Sequence, residues 1–151
     1  FMPLLAPKTA QELILRINQL QPESLRKWGN MSIEEMLVHC AAGIQMGLGE
    51  LPAKVRVSPL RGAIARLLYI ELLPFPKLAA APAELNINKK LKTRLGFDSG
   101  KQQLIQLVKK METTPDSHKF PVHPIFHKLS RRQWSKLFYK HLDHHLKQFG
   151  V

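Results

Sequence analysis

The chain has one cysteine, Cys40, among 151 residues. An intramolecular disulfide is excluded, and nothing points to an oxidising compartment. Long apolar runs are also missing. The most hydrophobic stretch, Leu60 to Leu73, is interrupted by Arg61, Arg66 and Glu71 and is shorter than the ~20 residues a membrane-spanning helix needs. The opening FMPLLAPKTAQEL has no basic segment followed by an apolar one, so no secretory signal is expected and a soluble, cytoplasmic protein is. There is no glycine-rich phosphate loop, no HExxH, no paired-cysteine motif and no G-x-S-x-G elbow, which leaves nucleophile triads without local support. No strand pattern, internal repeat or low-complexity tract is found.

Acidic residues are scarce: 11 against 23 lysines and arginines, a net charge of +12. The excess is uneven. Residues 1–50 carry 4 basic and 5 acidic side chains, residues 51–96 carry 9 and 2, and residues 97–151 carry 10 and 4. The middle segment attracts anions of any kind: nucleic acid, anionic lipid, or a small molecule bearing carboxylate or phosphate. Nucleic acid is the less expected of these, because the basic residues are not interleaved with stacking aromatics and no recognition helix stands out.

What is present is a succession of helix signals in a chain long enough for one domain, residues 1–151, with a real core. Thr9 with Glu12 reads as a capping box ahead of Leu13, Ile14, Ile17 and Leu20. Ser32 with Glu35 caps a helix to about Leu48 that is apolar on nearly every side and belongs deep in the structure. Its Gly43 and Gly47 cost about 1 kcal/mol each against alanine and allow close packing or leave room for a bulky group. Ser58-Pro59 begins a third helix running to the stop at Pro74, and Asp98 or Ser99 a fourth. Ser130 with Gln133 opens the last helix, which Gly150 closes. Residues 74–96, with Lys89, Lys90, Lys92 and Arg94, form an irregular basic excursion. The reading is an all-α four-helix bundle with a long crossover and an additional helical or irregular segment in the middle.

The last helix carries the chemistry. At 100° per residue, His141 and His145 share the inward arc with Trp134, Leu137, Phe138, Leu142, Gln148 and Phe149. Residues four apart lie one above the other, so both imidazoles can reach one ion. His144 points about 80° away from the pair's mean direction and is left out. A third ligand has to come from a neighbouring helix, and His39, in the most buried one, is the candidate, with Gly43 one turn on leaving space beside it. Three histidines with an open fourth position make a catalytic rather than a structural divalent site, with zinc or nickel the first candidates. Packed core histidines are the plain alternative. Cys40 reads as inert packing. His118, His123 and His127, in a proline-rich loop, read most simply as solvent-exposed, and Trp28, Trp134, Phe138 and Phe149 as core.

The stretch Trp28-Gly-Asn-Met-Ser32-Ile-Glu-Glu35-Met-Leu-Val-His39 resembles the W…S…E…H signature of the DinB superfamily. His141-Leu-Asp-His144-His145-Leu-Lys-Gln148 is similar to its H-x-x-H-H-x-x-Q pattern. The passage from His123-Pro124 to the end looks most like a branch known only as a domain of unknown function. The resemblance implies a four-helix bundle with a divalent metal on His39, His141 and His145. It also implies a thiol-dependent transferase, using bacillithiol or mycothiol, a related isomerase, or a hydrolase-like activity. The expected partners are an anionic small-molecule substrate or a low-molecular-weight thiol, and a homodimer is compatible with the sequence. The rival is a non-enzymatic basic module for nucleic acid or anionic membrane.

Overall fold

The computed structural model describes residues 4–77, 82, 85 and 96–151. Among them are five α-helices: α1 (Pro7–Gln19), α2 (Ile33–Gly47), α3 (Pro59–Arg66), α4 (Phe97–Glu112) and α5 (Arg131–Gln148). There is no strand among the described residues; one isolated bridge pairs His123 with His127. The basic cluster of Lys89, Lys90, Lys92 and Arg94 lies outside the described residues.

Local chemistry sets most helix starts. Ser32 accepts from the Glu35 amide while the Glu35 carboxylate accepts from the Ser32 amide, and Ser130 and Gln133 repeat the exchange. Ser58 accepts from the Arg61 amide, with Pro59 at the first helical position. Two expected starts are corrected. The Thr9–Glu12 box is not used: α1 begins at Pro7 behind Ala6, without a side-chain cap, because proline's fixed φ already suits a first helical residue. Helix α4 begins at Phe97 behind Gly96, which places Asp98 in the first turn, where a carboxylate complements the helix dipole.

The third helix is not one regular α-helix either. After Arg66 it widens into a π-helical segment, Leu67–Leu72, which ends with the Leu73 amide donating to the Leu68 carbonyl at 2.7 Å. The freed carbonyls at that end are taken up by α5. Lys140 donates to the carbonyls of Tyr69 (2.7 Å) and Leu73 (2.6 Å), and Lys136, one turn earlier, pairs with Glu71 at 2.6 Å.

The four long helices pack as a ring in the order α1, α4, α2, α5, so α1 lies diagonally opposite α2 and α4 diagonally opposite α5. Their inward stripes form a continuous core: Leu13 and Ile17 of α1, Met36, Leu37 and Ile44 of α2, Leu104 and Met111 of α4, Trp134 and Leu142 of α5. Each such side chain contributes roughly 1.5–3 kcal/mol on burial. Cys40 is buried beside the Met36 sulfur at 3.6 Å, and burial pushes its thiol pKa up. Trp28 departs from the expected core set; it is partly exposed, with Lys77 Nζ 4.8 Å above its ring.

Helices α2 and α5 touch through glycine. A Cβ on Gly47 would lie 2.8 Å from both Phe138 Cε1 and Trp134 Cζ3. Gly47→Ala gains about 1 kcal/mol in helix propensity but overpacks two buried rings, at a cost of up to about 3 kcal/mol. A net destabilisation of about 2 kcal/mol is expected in urea unfolding; a stabilised variant would show that the two helices are not in this contact.

Candidate metal centre

The packing of α2 on α5 brings His39, His141 and His145 together. One ring nitrogen from each lies within 4.8 Å of the others. The ring centroids form a nearly equilateral triangle, 4.8, 4.7 and 4.9 Å on a side, with the rings edge-on to one another. Gly43 makes room, though not for the imidazole expected: a Cβ there would meet His141 Cε1 and Nδ1 at 3.0 Å, rather than His39.

Hydrogen bonds fix which nitrogen of two rings carries the proton. His39 Nδ1 lies 2.8 Å from the Leu85 carbonyl, which can only accept, so Nδ1 donates and Nε2 keeps its lone pair. For His145 the logic runs through Gln148. Gln148 Nε2 donates to the Trp28 carbonyl at 2.9 Å, which orients the amide and leaves Oε1 to accept from His145 Nδ1 at 2.7 Å. The approach of Trp28 to Gln148 depends on Gly29, whose φ is +79° and whose Cβ would sit 2.8 Å from Gln148 Nε2. His141 Nε2 faces His39 Nε2 at 2.9 Å. Among the described residues, no group outside the triad fixes His141's tautomer.

Electrostatics keep the rings neutral. Burial lowers the pKa of His39, against a raising hydrogen bond to Leu85. Burial, and then the neighbouring His39 and His145, hold His141 well below the ordinary value. Burial brings His145 to about 3. Neutral imidazole is the metal-binding state. Zinc takes histidine nitrogens at ~2.0–2.1 Å, which in a tetrahedral site separates them by about 3.3 Å. The His39–His141 nitrogens, at 2.9 Å, part by a few tenths of an ångström to meet this, and the three nitrogens already lie within 4.8 Å of one another. The three residues fit a divalent metal, and the outward hydrogen bonds of His39 and His145 are the arrangement that orients histidine ligands. Replacing Gln148 by Ala is expected to weaken zinc affinity about 10- to 100-fold, read by chelator competition. An unchanged affinity would remove Gln148 from the site.

A cavity of about 610 Å³ opens beside the triad, lined by Met46, Tyr69, Phe75, Trp134 and Phe138 together with the three histidines. His144, excluded by its angle, is on the cavity wall but outside the triad, edge-on to Trp28 at 5.5 Å. His123 corrects the expectation for the loop before α5: it is 4% exposed and lines the same cavity. Proline-rich surroundings suggest an exposed loop, and no local pattern announces that a loop folds inward. His118 is partly buried and packs on Phe120 at 4.6 Å, and His127 is partly buried with φ 57°. Gln148 was legible on the inward arc; the Leu85 carbonyl, a backbone group in an irregular segment, had no sequence signal.

Fold and site together define an all-helical domain whose buried histidine triad can hold a metal ion. Residues 5–150 match the family model described as a protein of unknown function, DUF1569, and the chain belongs to that family. No curated protein and no solved structure matches it.

Proposed function

We propose that the protein is a DinB-like metalloenzyme that holds a divalent ion, zinc or nickel, on His39, His141 and His145 and acts on a small molecule in the adjoining cavity, as a thiol-dependent transferase or a hydrolase. The observation that carries this reading is the triad itself: three inward imidazoles, two with their outward Nδ1–H fixed by hydrogen bonds, beside an open cavity. A bound divalent ion supplies Lewis acidity, lowering the pKa of a thiol or water and polarising an oxygen. The chain contributes the rest. Leu85 and Gln148 hold two of the ligand tautomers, and Phe75, Trp134 and Phe138 exclude water from one side of the cavity. The basic excess of the chain favours approach of an anionic substrate or thiol. The test is consumption of a low-molecular-weight thiol with an electrophile, and of simple esters, by zinc- or nickel-loaded protein. Activity should vanish with chelator and in His141→Ala. No turnover in any arm sinks the enzymatic reading and leaves the metal centre standing.

A second reading rests on α3. Leu60, Ile64 and Leu67 are 72, 52 and 54% exposed at i, i+4, i+7 spacing, with exposed Leu72 and Leu73 beyond and Arg61 beside them. An apolar helical face in a basic segment suits an anionic membrane surface. Sedimentation with phosphatidylserine vesicles should be lost in Leu60→Glu/Leu67→Glu and weaken with salt. Retention on DNA that ignores this double substitution would favour nucleic acid instead, and no retention on either removes the reading.

A further inference from the structure

His123 is the one buried histidine of the cavity wall that the triad does not use. Residues 123–127 form a tight loop closed at both ends: the His123 amide donates to the His127 carbonyl at 2.8 Å, and the His127 amide returns to the His123 carbonyl at 3.0 Å. Inside it, the amides of Ile125 and Phe126 both donate to His123 Nδ1, at 3.0 and 3.1 Å. A nitrogen that accepts two N–H groups carries no proton, so the proton of the neutral ring is on Nε2. That Nε2–H has no hydrogen-bond partner among the described residues, although the ring is 4% exposed and lies on the cavity. Phe126 and Trp134, with ring centroids 4.8 and 5.5 Å away, hold it in place. The Nε2–H is not fully enclosed but opens on the cavity, where a water or a ligand oxygen that replaces it can accept. Burial also lowers the His123 pKa to about 3, so the group is a fixed neutral donor at physiological pH rather than a proton carrier.

We propose that His123 is a ligand-binding residue in its own right: its Nε2–H receives an acceptor oxygen, such as a carboxylate or sulfonate, of a small molecule whose apolar body lies against Trp134 and Phe138. The proposal uses the same cavity as the reading above but needs no ion. A volume of about 610 Å³ lies within the range that takes a ligand of drug-like size, and a mostly apolar wall with a few placed polar groups is what gives such a ligand its orientation.

Two substitutions separate the loop-closing role of the ring from its donor role. His123→Asn keeps an acceptor near the position of Nδ1 and leaves no N–H at the position of Nε2; His123→Gln places an amide N–H near the position of Nε2. The probes are the fluorescent dye anilinonaphthalene sulfonate and its neutral analogue phenylnaphthylamine, titrated into the full chain as purified and after chelator treatment. The wild type should bind both. His123→Asn should weaken the sulfonate dye about tenfold and leave the neutral dye unchanged, and His123→Gln should recover most of the loss. Equal sulfonate affinity in wild type and His123→Asn, equal loss of both dyes, or no binding by the wild type would each overturn the proposal. If the variants do not fold, the wild-type imidazole ¹⁵N spectrum decides. A proton on Nε2 whose resonance moves when the sulfonate dye is added supports the assignment, and a proton on Nδ1 or a resonance that does not move refutes it. Because the chelated arm contains no ion, failure of the metal reading leaves this result intact.

Discussion

Metal-free protein is expected to lose its fold steeply as the pH falls from 7 towards 4. Burial holds His39, His123, His141 and His145 below the ordinary histidine value of 6.5, with His123 and His145 at about 3. In the unfolded chain each takes up a proton near 6.5, whereas the folded chain excludes it until the pH is much lower. The unfolded state therefore binds more protons throughout that window, and stability present above pH 6.5 is lost as the pH falls through it towards the folded values. Each group held at about 3 contributes about 1.4 kcal/mol per pH unit, so His123 and His145 together remove roughly 3 kcal/mol per unit, and His39 and His141 add to the loss in the same direction. A domain at the lower end of the usual ~5–15 kcal/mol of stability unfolds within about two units below 6.5. Circular dichroism against pH in the presence of chelator measures this, and a flat signal down to pH 4 would contradict four neutral buried imidazoles.

Adding zinc or nickel is expected to raise the melting temperature by about 10 °C. An ion that binds only the folded state at a thousandfold excess over its Kd stabilises by about 4 kcal/mol, and in a domain of this size each kcal/mol moves Tm by about 2–4 °C. The gain should disappear in His141→Ala. Differential scanning calorimetry with and without chelator reads it directly. Identical melting curves in the two conditions would show that the triad is packing alone.

Much of this arrangement was legible in the residues. Ser32–Glu35, Ser58–Pro59 and Ser130–Gln133 set helix starts by side-chain chemistry that needs no tertiary context, and the four-residue spacing of His141 and His145 fixes a shared face whatever the helix packs against. His39 was reachable because a histidine in so apolar a helix has few places to point. Other features depend on tertiary context. The π-helical widening after Arg66 has its end carbonyls taken up by Lys140, from a helix seventy residues away. The beneficiary of Gly43 is an imidazole on a different helix from the one its sequence position suggests. His123 is turned inward by amides of its own loop, a contact between neighbours that composition reads as surface.

The most direct measurement is the metal content of protein purified without an affinity tag, determined by elemental analysis for wild type and for the variant carrying alanine at positions 39, 141 and 145. The wild type is expected to hold about one zinc or nickel ion per chain, and the triple variant none. Equal, negligible metal in both proteins would contradict the assignment of His39, His141 and His145 as a metal centre.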